Sequence, residues 1–505
     1  MGRKFKTENI IIALFCIINL ILHLIADFNS GFHGDELLHI EAGNHAAFGY
    51  MDFPPLIAWL ATVQNLFHSD SIFVNHLFVH ISTVLIFLLC GWIVIELGGS
   101  WIAVLLTLSA ILFAPGFVAS HNLFLPVVFE QLTWIASIFL LVKYSNSQSG
   151  KHLIFLGIVA AIGFLAKYSI VFLIAGLIFS VLLFHFRLLK NKSLWIGLLL
   201  FLILILPNIF WQFKNGLPVF NHVSKLYETQ LNIISVFAEL KQLFLFLNPF
   251  TSVLWISGLL IVPFAIKFKK FRLTSFTLLF AFILLFLAKG KAYYYFPVVL
   301  GLLPLGALFI EQFLNRRRWI LYGYLSLLGL SGAFLLPSGI PVLPLNTYLK
   351  LYHPQKGEND KITLPFENYY SAGIRNQILE KVNFTYTSLP EAERKTCLVW
   401  GRHYSQAGGI NLHGKEQGLP QAFSFHSSFY NWVPEFSKDI TVIVISDLSW
   451  DREHWLRYFD EVEPVCDIQN RFASDNEWSV QHIFLCRKLK YNSVELKQKF
   501  STEIF

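Results

Sequence analysis

Apolar stretches of about 17–25 residues, long enough to cross a bilayer as a helix, recur along the first two thirds of the chain. They predict membrane spans near 9–26, 78–97, 101–116, 121–142, 153–168, 169–186, 194–211, 243–266, 274–289, 293–312 and 319–337, eleven in all. Two polar segments between them, 27–77 and 212–242, are too long for simple turns. Beyond them, Pro337 to Pro344 is a Pro/Gly stretch that reads as a linker. Then Thr396–Trp400, Ile440–Ile445 and Gln481–Cys486 read as short strands, while 371–382 and 451–459 have helical spacing. The expected fold class is an α-helical polytopic membrane protein with a C-terminal external α/β domain. Residues 1–337 would form the transmembrane domain, with external loops 27–77 and 212–242, and 338–505 the soluble domain.

Composition sharpens this division. Of 505 residues, 55% are hydrophobic and 14% charged, against about 25% charged in a typical soluble domain. Residues 1–337 hold 21 basic and 12 acidic residues, a net of +9; residues 338–505 hold 18 and 20, a net of −2. The basic residues cluster at alternate turns: Arg3, Lys4 and Lys6; Lys143 and Lys151; Arg187, Lys190 and Lys192; Lys267 to Arg272; Arg316 to Arg318. By the positive-inside rule all of these lie in the cytoplasm. Eleven spans then put the C-terminal domain outside. The basic excess therefore reports topology and implies no nucleic-acid partner. The first span lacks a small-x-small cleavage site before Asp27, so it is expected to be a retained anchor. Cys16 and Cys90 fall in spans; among Cys397, Cys466 and Cys486 a Cys466–Cys486 disulfide is open. No P-loop, GxGxxG or metal-ligand cysteine spacing supports soluble nucleotide use or a metal site.

The segment 27–77 carries the sharpest chemistry. Gly34-Asp35-Glu36 precedes apolar residues at helical spacing, so a short helix is expected to open at Asp35. Its N-terminus would favour the carboxylates, and Asp35 and His39 would share a face. Such carboxylates could deprotonate an acceptor at the membrane edge, or simply cap a solvated helix. His33, His39 and His45 match no compact metal spacing and read as loop polar residues. Pro54-Pro55 opens a second amphipathic segment, 56–67, suited to lie along the interface.

These motifs, with several downstream, resemble a known family. They are Gly34-Asp35-Glu36, Gly49-Tyr50-x-Asp52-x-Pro54-Pro55-Leu56, Ala166-Lys167-Tyr168, Leu206-Pro207-Asn208 through Trp211, and Asn215-Gly216-Leu217-Pro218. Lys291-x-Tyr293-Tyr294-Tyr295-Phe296-Pro297 and, in the tail, Gly418-Leu419-Pro420 through Asn431-Trp432 follow in order. The chain resembles the bacterial dolichyl-phosphate-mannose protein mannosyltransferase superfamily, which includes the lipid A aminoarabinose transferases and has the GT-C fold. The resemblance implies an inner-membrane glycosyltransferase. It would move a sugar from a polyprenyl-phosphate donor to a glycolipid, glycan or protein acceptor on the outer membrane face, with inversion. It maps the catalytic acid onto Asp35, with Glu36 the adjacent candidate, and leaves a divalent metal open. This chain departs from many relatives in carrying Phe53 where they have His or Lys.

A polyprenyl phosphate places its anion at the outer interface, where Lys167, Lys289 and Lys291 fall on the predicted topology. A lysine in apolar surroundings is functional, paired or snorkelling. His39, Asp52, Tyr293 and Lys214 are further candidates for substrate contact, although Tyr293 to Tyr295 fit an aromatic belt as readily. Glu130 is an acid within a predicted span, with no partner legible in the sequence. The rival reading is a flippase or transporter for a lipid-linked glycan, which predicts broken or charged helices at mid-membrane. A third is a silent relative that only binds glycolipid. The external domain is expected to shape the acceptor entrance.

Overall fold

The computed structural model describes residues 4–354, 361–365, 367–473, 477–502 and 504, so Arg3 of the N-terminal basic cluster lies outside it. The described chain forms two compact units. One contains the residues up to Ala26, Phe53–Leu56 and His76–Val342. The other contains Asp27–Asp52, Ile57–Asn75 and the chain from Leu343 onward. The sequence division drew its boundary at 337 and grouped 27–77 with the spans; here most of that segment folds with the C-terminal part.

The first unit is helical, and its apolar helices make this a multi-pass membrane protein. Among the described residues, seven helices have the length and apolarity to cross a bilayer: Thr7–Asn29, Leu77–Leu97, Pro126–Ser147, Lys192–Lys214, Ile266–Leu287, Ala292–Phe313 and Arg318–Ser338. Two bent helix pairs have the same combined length and apolarity, as broken spans or re-entrant loops: Trp101–Leu112 with Pro115–Asn122, bent by 67°, and Val236–Phe246 with Pro249–Leu260, bent by 101°. Lys151–Ala166 and Tyr168–Phe184 are shorter apolar helices. Each predicted span falls on one of these segments, although length alone supports seven spans, or nine with the bent pairs.

Both breaks occur at prolines, which lack the N–H a continuing helix would use. One buried asparagine serves the two. Asn248 sits in the left-handed region at φ 61° and accepts from the Phe250 N–H at 3.2 Å. Its side-chain amide donates to the Phe113 carbonyl of the other break and to the Ser331 hydroxyl, both at 3.1 Å. Elsewhere small residues let helix backbones touch, as membrane helices require; a Cβ on Gly157 would lie 2.0 Å from the Gly197 carbonyl. The segment 212–242 is mostly helical rather than a loop. Gly216 and Leu217, at φ 75° and 56°, reverse the chain, and Pro218 then opens the helix Pro218–Thr229.

The second unit is α/β. Its strands are β1 (Leu398–Gly401), β2 (Ala422–Phe423), β3 (Val442–Asp447), β4 (Phe459–Gln469) and β5 (Val480–Leu489), in sheet order β2-β1-β3-β5-β4. β2, β1 and β3 run parallel, and β5 and β4 complete the sheet antiparallel. The core beneath it is aromatic, built on Trp400, Phe423, Trp455, Phe459 and Phe500. The three expected strands are β1, β3 and β5, while β2 and β4 were not foreseen. The helix expected over 451–459 covers only Arg452–Trp455, because Phe459 and Val462 turn inward as the start of β4. Asp460, Glu461 and Glu463 face out along this edge strand, where charge blocks pairing with another chain. The candidate disulfide is absent, for a reason of register. Cys486 faces Val462 and Cys466 faces Ile483 on the same ladder, and all five cysteines are free.

Candidate functional site

In the α/β unit the helix Gly34–Ala42 begins one residue before the expected start at Asp35, and His33 caps it. The His33 ring accepts the Asp35 N–H at 3.1 Å, and the Glu36 carboxylate accepts the His33 N–H at 2.6 Å. This is a capping box with histidine in the place usually taken by serine or threonine. Glu36 is fully buried in that role. Glu36→Ala is therefore expected to cost about 1–2 kcal/mol of stability and to leave turnover nearly unchanged. Thermal unfolding in detergent and a transfer assay check the two halves of that expectation.

A second histidine-led box begins the helix Tyr404–His413. His403 accepts the Ser405 N–H at 3.2 Å, and Gln406 accepts the His403 N–H at 2.9 Å. The two helices meet at Gly408, where a Cβ would lie 2.9 Å from that of Leu37. That close approach brings the Tyr404 hydroxyl to Asp35, donating to Oδ1 at 2.6 Å. The Tyr404 ring is stacked on His426 with centroids 5.0 Å apart. Burial, reinforced by Asp35, pushes the Tyr404 phenol well above its ordinary range. Burial also pulls His403 well below its usual value and His426 down to about 4. All three are neutral at pH 7, so the donor to Asp35 is a neutral phenol.

Asp35 lines a cavity of about 330 Å³ with Glu367, Arg375, Tyr404, Trp478 and Ile378. Its side chain is 47% exposed, and Oδ2 lies 3.9 Å from His33 Nδ1. Glu367 accepts the Gly34 N–H at 3.1 Å and stands 3.6 Å from His33 Nε2 and 3.9 Å from the Arg375 guanidinium. Burial alone would lower the His33 titration, but Asp35, Glu367 and Glu36 outweigh it and hold the ring above its ordinary value. A carboxylate with one oxygen fixed and acceptor capacity left over, at a cavity wall, can take a proton from a bound hydroxyl.

His39 and Asp52 do not line this cavity. His39 is 5% exposed, and burial pushes it down to about 4. His45 stacks on Trp432 beside Glu41. Asp52 accepts hydrogen bonds from the Ser427 and Ser428 hydroxyls, and its Oδ1 is sealed from solvent. Burial pushes its carboxyl from near 3.8 up to about 6, against the opposing effect of the serines. The folded chain thus holds this proton more tightly than the unfolded one. The stability it contributes is full below about 3.8 and is lost as pH rises through about 6. Asp52→Asn keeps an acceptor for both serines. It is expected to melt with the wild type near about pH 4 and progressively above it by about pH 7. A melting difference that stays constant over that range contradicts the assignment.

The helical unit holds the lysine candidates. Lys167 is the extended residue between Lys151–Ala166 and the turn Tyr168–Ile170, and its ammonium is 3.0 Å from Glu130. Glu130, 1% exposed, also accepts from the Ser169 hydroxyl. It lies near the start of the helix Pro126–Ser147, not at mid-span as the sequence boundaries implied. The Lys167 ammonium stands 5.0 Å from the ring centroids of both Tyr293 and Tyr294, a cation–π contact. Lys291 bonds the Gln230 side chain, Lys289 occupies a left-handed turn position, and Lys214 is exposed in the last turn of its helix. Glu367, Arg375, Tyr404 and Trp478 were not singled out from the sequence. For Tyr404 the signal was present, in His403-x-x-Gln406 followed by Gly408-Gly409. Nothing local marked Glu367.

Comparison with known proteins agrees with this architecture. Residues 52–211 match the family described as dolichyl-phosphate-mannose-protein mannosyltransferase. No curated relative matches the chain significantly. The structure is similar to ArnT from Cupriavidus metallidurans bound to undecaprenyl phosphate, with a TM-score of 0.60 at 12% identity, over 94% of this chain and 97% of that one. The apo state of the same protein gives 0.59 at 11% identity over the same shares. The oligosaccharyltransferase AglB from Archaeoglobus fulgidus, in complex with an inhibitory peptide and a dolichol-phosphate, gives 0.51 at 13% identity, covering 89% of this chain and 70% of that one. The helix breaks that a transporter reading anticipates thus occur in a chain with the architecture of these proteins. Residues 52–211 are thus similar in sequence to the dolichyl-phosphate-mannose-protein mannosyltransferase family, and nearly the whole chain shares the fold of these membrane proteins.

Proposed function

We propose that this protein transfers a sugar from a polyprenyl-phosphate donor to an acceptor hydroxyl on the outer face of the bacterial cytoplasmic membrane. The observation that carries the reading is Asp35, held by Tyr404 on a cavity wall, in a chain of this fold. Asp35 takes the acceptor proton as the acceptor oxygen attacks the anomeric carbon. The bond from that carbon to the phosphate oxygen breaks, and polyprenyl phosphate leaves with the electron pair. Lys167, backed by Tyr293 and Tyr294, is the cation assigned to the departing phosphate, with Lys291 second. The N-terminus is assigned to the cytoplasm and the α/β unit to the outside, from the distribution of basic turns.

The test is mass spectrometry of lipid extracts and surface glycans from wild-type, deletion and Asp35→Asn strains at equal expression. Accumulation of one polyprenyl-phosphate sugar, with loss of that sugar from one glycan in both mutants alike, is the expected result. A glycan change in the deletion but not in Asp35→Asn removes Asp35 from catalysis and favours a transport role.

A further inference from the structure

We infer that the cavity beside Asp35 is the acceptor subsite and takes a single neutral or amino-bearing sugar ring, so that the acceptor is a glycan or glycolipid sugar. This rests on the assignment of Asp35 as base. The cavity, about 330 Å³, is at the small end of ligand sites, suited to one ring rather than an acyl chain or a folded peptide segment. Its walls divide as a pyranose does. Trp478 and Ile378 supply an apolar side for the C–H face of a ring, and Trp478 is fixed edge-on against His403, with centroids 4.9 Å apart. Asp35, Glu367 and Arg375 supply charged acceptors and a donor for hydroxyls.

Charge decides which sugars fit. Two carboxylates face one guanidinium, and that guanidinium already stands 3.9 Å from Glu367. Asp35, 47% exposed, carries the Tyr404 hydroxyl on one oxygen and has the His33 ring 3.9 Å from the other, and its carboxylate is the negative group that a bound ring meets. A phosphate or uronate would meet like charge, whereas a hydroxyl or an ammonium would meet an acceptor. The carboxylate that removes the acceptor proton therefore also selects against anionic rings.

Saturation-transfer NMR on the full chain in detergent tests this with glucose, glucosamine, glucuronic acid, glucose 6-phosphate and a Gly-Thr-Gly peptide. Glucose and glucosamine should bind, and the two anionic sugars and the peptide should not. Trp478→Ala, and independently Ile378→Trp, which fills the cavity, should weaken sugar binding by about tenfold, the value of one aromatic contact. Asp35→Asn should retain it, and thermal unfolding confirms that each variant is folded. Preferred binding of glucose 6-phosphate or of the peptide overturns the inference, as does sugar binding indifferent to both cavity variants. If those results appear while Asp35→Asn still abolishes transfer, the subsite fails and the transferase reading stands. Sugar binding at the cavity with no glycan altered in the deletion strain is the reverse outcome.

Discussion

Asp35→Asn is expected to lower sugar transfer by about 10³-fold, within the range attributed to general-base catalysis, while leaving the protein folded. Asparagine retains an oxygen to accept the Tyr404 hydroxyl, now 2.6 Å from Asp35, and the side chain it replaces is half exposed, so no buried charge is stranded. What disappears is the capacity to take a proton. Tyr404→Phe separates positioning from proton transfer. It keeps the ring on His426 and removes only the hydrogen bond to the carboxylate, for which about tenfold in rate is expected. Steady-state kinetics with the native acceptor, once identified, reads both. The loss in Asp35→Asn should fall on kcat rather than on KM. Equal losses in the two variants would show that Asp35 acts only through its orientation.

The second large effect concerns Lys167 and Glu130. Lys167→Met is expected to destabilise the helical unit by about 3–5 kcal/mol, because it leaves the Glu130 carboxylate unpaired in a buried position. Among the described residues, the Ser169 hydroxyl is the hydrogen-bond donor that the Glu130 carboxylate would retain. The double variant Lys167→Met/Glu130→Gln should recover most of that stability, since no charge remains to strand. If Lys167 neutralises the departing phosphate, the recovered double variant should still transfer sugar about 10²–10³-fold more slowly than wild type. Thermal unfolding in detergent and transfer rates on the same preparations provide the check. A double variant that is both stable and active would reduce Lys167 to a structural ion pair.

These predictions join residues far apart in the chain, and that explains how differently parts of the protein were legible. The apolar segments could be counted from sequence because a bilayer imposes its thickness on each span independently of its neighbours. The breaks at Pro115 and Pro249 were not legible, because Asn248 completes both through a bond to Phe113, 135 positions away. Strands β1, β3 and β5 are apolar enough to be recognised alone. β4 alternates charge with apolar residues over a stretch that also fits a helix, and only pairing along β5 decides between the two. Lys167 stood out as a lone cation among apolar residues, yet its partner Glu130 is fixed by helix packing.

The same distinction holds at the site. The sequence by itself determined that an acidic pair follows the first span and opens a helix, because helix N-termini favour carboxylates and the pattern is local. It could not separate the two acids, since adjacent residues share one propensity. Tertiary structure did that: the His33 N–H engages Glu36, and the approach at Gly408 delivers Tyr404 to Asp35. Glu367, 333 residues from the Gly34 N–H it accepts, belongs to the site only because the chain from Leu343 onward folds with Asp27–Asp52. Span lengths and helix caps are set within a few turns of chain; a cavity is set by what packs around it.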